Sequence, residues 1–165
     1  MSPLIKVKIK QTEPMTVAFL SMEGHFSQIP MAFGRLYSWI SEKGYKPRGP
    51  AIAVYYDVPG QVPDDQLRWE LRSQIPENIV VTGPNEQGLG VKRVGAVQVV
   101  ATMHKGPYEN IEGTYRALTD WVSENGYEIN GPFEELYFND STRTPPDELL
   151  TEIRFPVNKK QSPSP

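Results

Sequence analysis

The segment ELLTEIRFPV, residues 148–157, reads as a strand with one residue out of place. Leu149, Thr151, Ile153 and Phe155 alternate as they would on one pleated face, which puts Glu152 mid-strand on the other face beside Leu150 and Arg154. A second segment, QLRWELRSQIP over 66–76, sets Glu70 in the same place, with Trp69 on the core-side neighbour position and Arg72 further along. Two readings of such a carboxylate stand side by side. It pairs with the nearby arginine, Arg154 or Arg72, in an ion pair worth at most ~1 kcal/mol at a surface. Or it faces a ligand, since carboxylates in unusual surroundings gather at sites.

Other residues could add to this chemistry. The stretch 133–138 mixes acid and aromatic groups in Glu134, Glu135, Tyr137 and Phe138, whereas its counterpart holds Ala53, Val54, Tyr55 and Tyr56. The second half is therefore expected to hold the chemically active end. Tyr55 and Tyr137 suit strands and can carry a hydroxyl to a polar rim. Phe26 and Tyr108 each follow a glycine turn before a helix, where a ring covers the helix start or lines a groove. His25 and His104 are the only histidines and form no i, i+4 pair, so no metal site is expected. GLGVKRVG, residues 88–95, has glycines but opens a strand and not a helix, so it is no phosphate cradle. No Ser-His-acid set can be assembled.

The elements that position these residues come from a tandem repeat. An offset of 82 residues aligns the two halves without a gap: Gly24 on Gly106, Leu36 on Leu118, Trp39 on Trp121, SEKGY on SENGY, Tyr55 on Tyr137, Glu70 on Glu152 and Arg72 on Arg154. VKIK (7–10) falls on LGVK (89–92). Each copy parses as strand (about 4–10, 88–94), strand (15–21, 96–103), helix, strand (51–57, 133–139) and the glutamate strand. The helices show apolar stripes at Ile29, Phe33, Leu36 and Ile40, and at Ile111, Tyr115, Leu118 and Val122. Gly44 and Gly126 suit the left-handed position that ends them. The expected fold is α+β: ββαββ twice, two antiparallel sheets each backed by one helix, with a pseudo-twofold axis and a groove near it. The domain is expected over 1–158 as repeats of about 4–78 and 86–158, with 159–165 a flexible tail.

Composition limits the function. The chain has 165 residues, no cysteine, a net charge of −3 and 38% apolar residues. Disulfides, thiol catalysis and cysteine-bound zinc are excluded. An acidic balance without a basic stripe argues against direct nucleic-acid binding. No apolar run approaches the ~20 residues of a membrane span. A cytoplasmic location is expected.

The repeat together with Gly106-Pro107-Tyr108, Leu118 and Trp121, Gly131-Pro132, Glu135 and Tyr137, and Thr151-Glu152-Ile153 resembles the GyrI-like family, the effector-binding domains found behind AraC- and MerR-type DNA-binding domains. The likeness runs over roughly 4–158. Ala53 and His25 depart from the pattern in the first copy. With no helix-turn-helix before residue 4, a stand-alone member is expected. The resemblance implies a groove between the repeats that takes flat, often cationic aromatic compounds, with Glu152 meeting the charge. Glu135, Tyr137, Tyr55, Glu70, Trp69, Tyr108 and Phe26 would be the other ligand contacts. Alternatively, it implies a hydrolase of cyclopropanoid DNA-alkylating compounds, with Glu152 as general base, Tyr137 as acid and Trp69 stacking on the substrate. A third implied role is contact with a protein partner, as in gyrase inhibition. Related folds bind haem, but only His25 or His104 could supply an axial ligand, so no cofactor is expected.

Overall fold

The computed structural model describes residues 5–160. The tail expected over 159–165 lies outside them except for Lys159 and Lys160. In chain order the elements are β1 (Lys8–Gln11), β2 (Met15–Glu23), α1 (Ile29–Glu42), β3 (Arg48–Tyr55) and β4 (Arg68–Ile75). Then follow β5 (Leu89–Val94), β6 (Gln98–Lys105), α2 (Ile111–Glu124), β7 (Tyr127–Ile129), β8 (Phe133–Tyr137) and β9 (Leu150–Lys159). Single 3-10 turns lead into both helices and into β4 and β9. Among the described residues, no helix is long and apolar enough to cross a membrane.

The helices begin and end where local chemistry dictates. Pro30 occupies the first turn of α1, where its missing N–H costs nothing. Gly44 and Gly126 adopt φ values of 73° and 79°, the left-handed conformation that an L side chain resists. The Tyr45 amide reaches back 3.1 Å to the Ile40 carbonyl and closes α1.

Two compact units form, Glu13–Ala96 and Val97 onward together with the chain up to Thr12. In the first, the antiparallel strands run β3-β4-β2-β5 and α1 packs on β2 and β4. In the second they run β1-β6-β9-β8, with β7 on the far end of β9, where Tyr127 pairs Lys159.

The repeats of about 4–78 and 86–158 are thus not the packed units. β1 of the first copy pairs with β6, Lys10 opposite Val99, while β5 of the second copy pairs with β2, Lys92 opposite Val17. Each repeat lends its first strand to the other's sheet. Sequence periodicity reports the face of a strand but not its neighbour, so the exchange is invisible to it.

The faces are as the alternation predicts. Leu118 and Val122 of α2 pack with Val100, Ile153, Phe155 and Val157 in one core. Each such side chain, fully buried, contributes roughly 1.5–3 kcal/mol. Glu152 and Arg154 therefore lie on the sheet face away from α2.

Candidate functional site

β8 pairs with β9 so that Glu135 stands opposite Ile153 and Tyr137 opposite Thr151. Ile153 belongs to the helix-side core, so Glu135 and Tyr137 also lie on that side. There the Glu135 carboxylate accepts the Tyr137 hydroxyl at 2.6 Å and the hydroxyl of Tyr115, from α2. The Tyr108 ring stands edge-on to Tyr137, centroids 5.9 Å apart at 75°. Phe133 and Phe155 close the cluster from the core side, 4.7 Å apart. Tyr108 is 40% exposed, so the cluster opens to solvent through it. Partial burial, and then the Glu135 charge, hold its phenol above the ordinary range, while a hydrogen bond with Ser141 works the other way.

The first unit repeats the aromatic frame without the acid. Ala53, fully buried, occupies the position of Glu135, and Phe33 the position of Tyr115. Phe26 and Tyr55, the counterparts of Tyr108 and Tyr137, meet at 5.1 Å and 66°. The asymmetry expected between the halves is thus present in the side chains.

Glu152 and Glu70 sit elsewhere, on the opposite faces of their sheets. Glu152 accepts Lys10 Nζ at 2.9 Å and Arg154 Nε at 2.6 Å. Glu70 accepts Lys92 Nζ at 2.7 Å, Arg72 Nε at 2.5 Å and the Ser21 hydroxyl at 3.2 Å. Lys92 also lies 4.6 Å over the Phe19 ring. The family resemblance implies an unfilled socket at Glu152, and in this structure both glutamates are ion-paired within the chain. Each arrives with two cations of its own, because burying a lone carboxylate is costly.

Trp69 has a packing role in the first unit. It is 1% exposed, and its Nε1 donates to the Gly24 carbonyl at 2.9 Å, so it anchors the turn before α1. The site residues expected from the sequence therefore divide. Glu135, Tyr137 and Tyr108 come together, Phe26 and Tyr55 meet in the other unit, and Glu152 and Glu70 form separate ion clusters. Tyr115, expected only as part of a core stripe, joins the site through its hydroxyl. Lys10 and Lys92 were not singled out either, although their coincidence at the repeat offset is the signal that marks them. Among the described residues no group of three metal-ligating side chains is close enough to hold an ion.

The fold is that of a small α+β domain with an antiparallel sheet and a helix in each unit. The profile of the GyrI-like small molecule binding domain matches residues 5–158, and the chain belongs to that family. A DNA gyrase inhibitor of Escherichia fergusonii is 26% identical over 136 residues, covering 80% of this chain and 86% of that protein. The EcmrR C-terminal domain superposes with a TM-score of 0.80 at 22% identity, covering 95% of this chain and 99% of that one. SAV2435, solved bound to tetraphenylphosphonium, superposes with a TM-score of 0.57 at 15% identity, covering 93% and 94%.

Proposed function

We propose that the chain binds flat or multi-ring aromatic cations at the Glu135 cluster of the second unit. The observation that carries this is the Glu135 carboxylate oriented by two tyrosine hydroxyls beside a solvent-facing tyrosine ring. An anionic oxygen pair supplies the counter-charge, and the rings of Tyr108 and Tyr137 supply cation–π and stacking contacts worth ~0.5–2 kcal/mol each. A structural neighbour solved bound to tetraphenylphosphonium supports a ligand of this chemistry. Glu152 takes a structural part in this reading, since Lys10 and Arg154 already meet its charge.

The test is calorimetric titration with tetraphenylphosphonium of wild type, Glu135→Gln and Glu152→Gln. Binding that Glu135→Gln weakens at least ~tenfold, about 1.4 kcal/mol, while Glu152→Gln keeps it, is the expected result. Equal binding by wild type and Glu135→Gln would overturn it. If Glu152→Gln alone lost binding, the charge partner would be Glu152.

A second reading rests on the name of the sequence relatives, DNA gyrase inhibitor, carried by proteins that match most of this chain. It is checked by adding the protein to a gyrase supercoiling reaction. Unchanged supercoiling at saturating protein removes it.

A further inference from the structure

His104, 7% exposed at the end of β6, is used by neither the core nor the ligand cluster described above. Its Nδ1 lies 2.7 Å from the Thr114 hydroxyl of α2, and its Nε2 lies 3.0 Å from the Pro107 carbonyl. A carbonyl only accepts, so Nε2 donates to Pro107, while Nδ1 pairs with the Thr114 hydroxyl. One ring thereby joins the strand, the turn before the helix and the helix. The same Pro107 carbonyl accepts the Asn110 amide at 3.1 Å, and the Gly106 amide donates to Leu149 at 2.8 Å. Tyr108 is the next residue along this braced turn.

The first unit holds its equivalent turn differently. Met22 and Ala32 occupy the positions of His104 and Thr114, so no imidazole bridge is made there. Instead Trp69 lies across from Met22 and donates its indole N–H to the Gly24 carbonyl. In the second unit the position of Trp69 holds Thr151, across from His104. Thr151 is fully buried and its hydroxyl finds no hydrogen-bond partner, so it does not replace the indole tie. The anchor of the turn has moved from an indole on β4 of one unit to an imidazole on β6 of the other. It moved in the unit that carries Glu135.

We infer that His104 is a positioning residue. Its bridge between Thr114 and Pro107 fixes where the Tyr108 ring stands against Tyr137, and so sets the affinity of the Glu135 cluster for an aromatic cation. This rests on the function proposed above. The bridge acts only through Tyr108, which gives it a signature that simple loss of stability lacks.

The test replaces His104 and Thr114 by the residues found at the equivalent positions of the first unit, His104→Met with Thr114→Ala. Amide hydrogen exchange and tetraphenylphosphonium titration are then read in the full chain, with and without Tyr108→Ala. The expected results are ~tenfold or faster exchange at Asn110 with the β9 amides unchanged, and ~tenfold weaker binding that vanishes as an extra effect in the Tyr108→Ala background. Undiminished affinity, or an equal further loss without Tyr108, would overturn the inference. His104→Asn, which keeps one donor, is a second variant should the first fail to fold, and its recovery of part of the affinity is expected. If wild type binds no tetraphenylphosphonium, the proposed function falls by itself. The bracing of the turn by His104 is then decided by the exchange at Asn110 alone, and unchanged exchange sinks it.

Discussion

Lys10 Nζ stands 2.9 Å from Glu152 Oε1, joining residues 142 positions apart. Lys92 stands 2.7 Å from Glu70 at the same positions of the repeat, and Arg154 and Arg72 complete the two clusters. Each lysine rides on a strand borrowed from the other copy. The ion cluster therefore pins the exchanged strand in register. A slip by one residue would turn the lysine to the helix face and leave the glutamate with one cation fewer.

Neutralising these glutamates should cost stability and not ligand affinity. Glu70 is 4% exposed with three donors, whereas Glu152 is 10% exposed and its Lys10 partner is 35% exposed. Breaking a fully buried pair costs ~3–5 kcal/mol, and the wetter cluster should cost less, about 2 kcal/mol. Urea unfolding should rank Glu70→Gln as more damaging than Glu152→Gln. The reverse order would mean that the Lys92 cluster is not the tighter one.

The tyrosine hydroxyls that orient Glu135 should each contribute roughly 1.5 kcal/mol, the value of a hydrogen bond to a charged group. Tyr115→Phe and Tyr137→Phe are expected to lower thermal stability by comparable amounts. In double combination with Glu135→Gln the losses should be smaller than additive, because the acceptor is already weakened.

Alkaline pH should act through Tyr108. Its folded phenol holds its proton above the ordinary value of 10.0, through burial and the Glu135 charge. The stability this provides is complete below about pH 10 and is lost as pH rises through the folded value. Unfolding midpoints compared at about pH 9 and about pH 11 should fall less in Tyr108→Phe than in wild type. Equal falls would remove Tyr108 as the titrating group.

Two glycines should respond in opposite directions. A Cβ on Gly90 would meet the Thr82 carbonyl at 2.5 Å and the Phe19 ring at 2.8 Å, so Gly90→Ala should cost about 2–3 kcal/mol. Gly34, inside α1, has nothing within 4 Å of the added carbon. Gly34→Ala should add up to ~1 kcal/mol through helix propensity and a less flexible unfolded chain. Denaturant midpoints of the two variants check both signs.

Much of the fold was legible because its signals are local. The alternation of Leu149, Thr151, Ile153 and Phe155 placed Glu152 away from α2, and the core holding Ile153 and Phe155 bears that out. Gly44 and Gly126 marked the helix ends because only backbone conformation was at stake. β7, which pairs with the end of β9 and has no partner in the first unit, was missed. Its three residues carry no periodic pattern of their own. The candidate site was legible in part: Glu135, Tyr137 and Tyr108 were singled out, but they were grouped with Glu152, which lies on the other face.

By itself the sequence determined the repeat, the faces of the strand that carries Glu152 and the asymmetry that gives one unit a Glu where the other has Ala53. These follow from side-chain period and local backbone preference, which act between near neighbours. Only the tertiary structure decided that β1 and β5 change places, that Lys10 reaches Glu152, and that Trp69 serves as an anchor. Those outcomes depend on which distant strands pair, and pairing is settled by the burial and charge compensation of the whole unit.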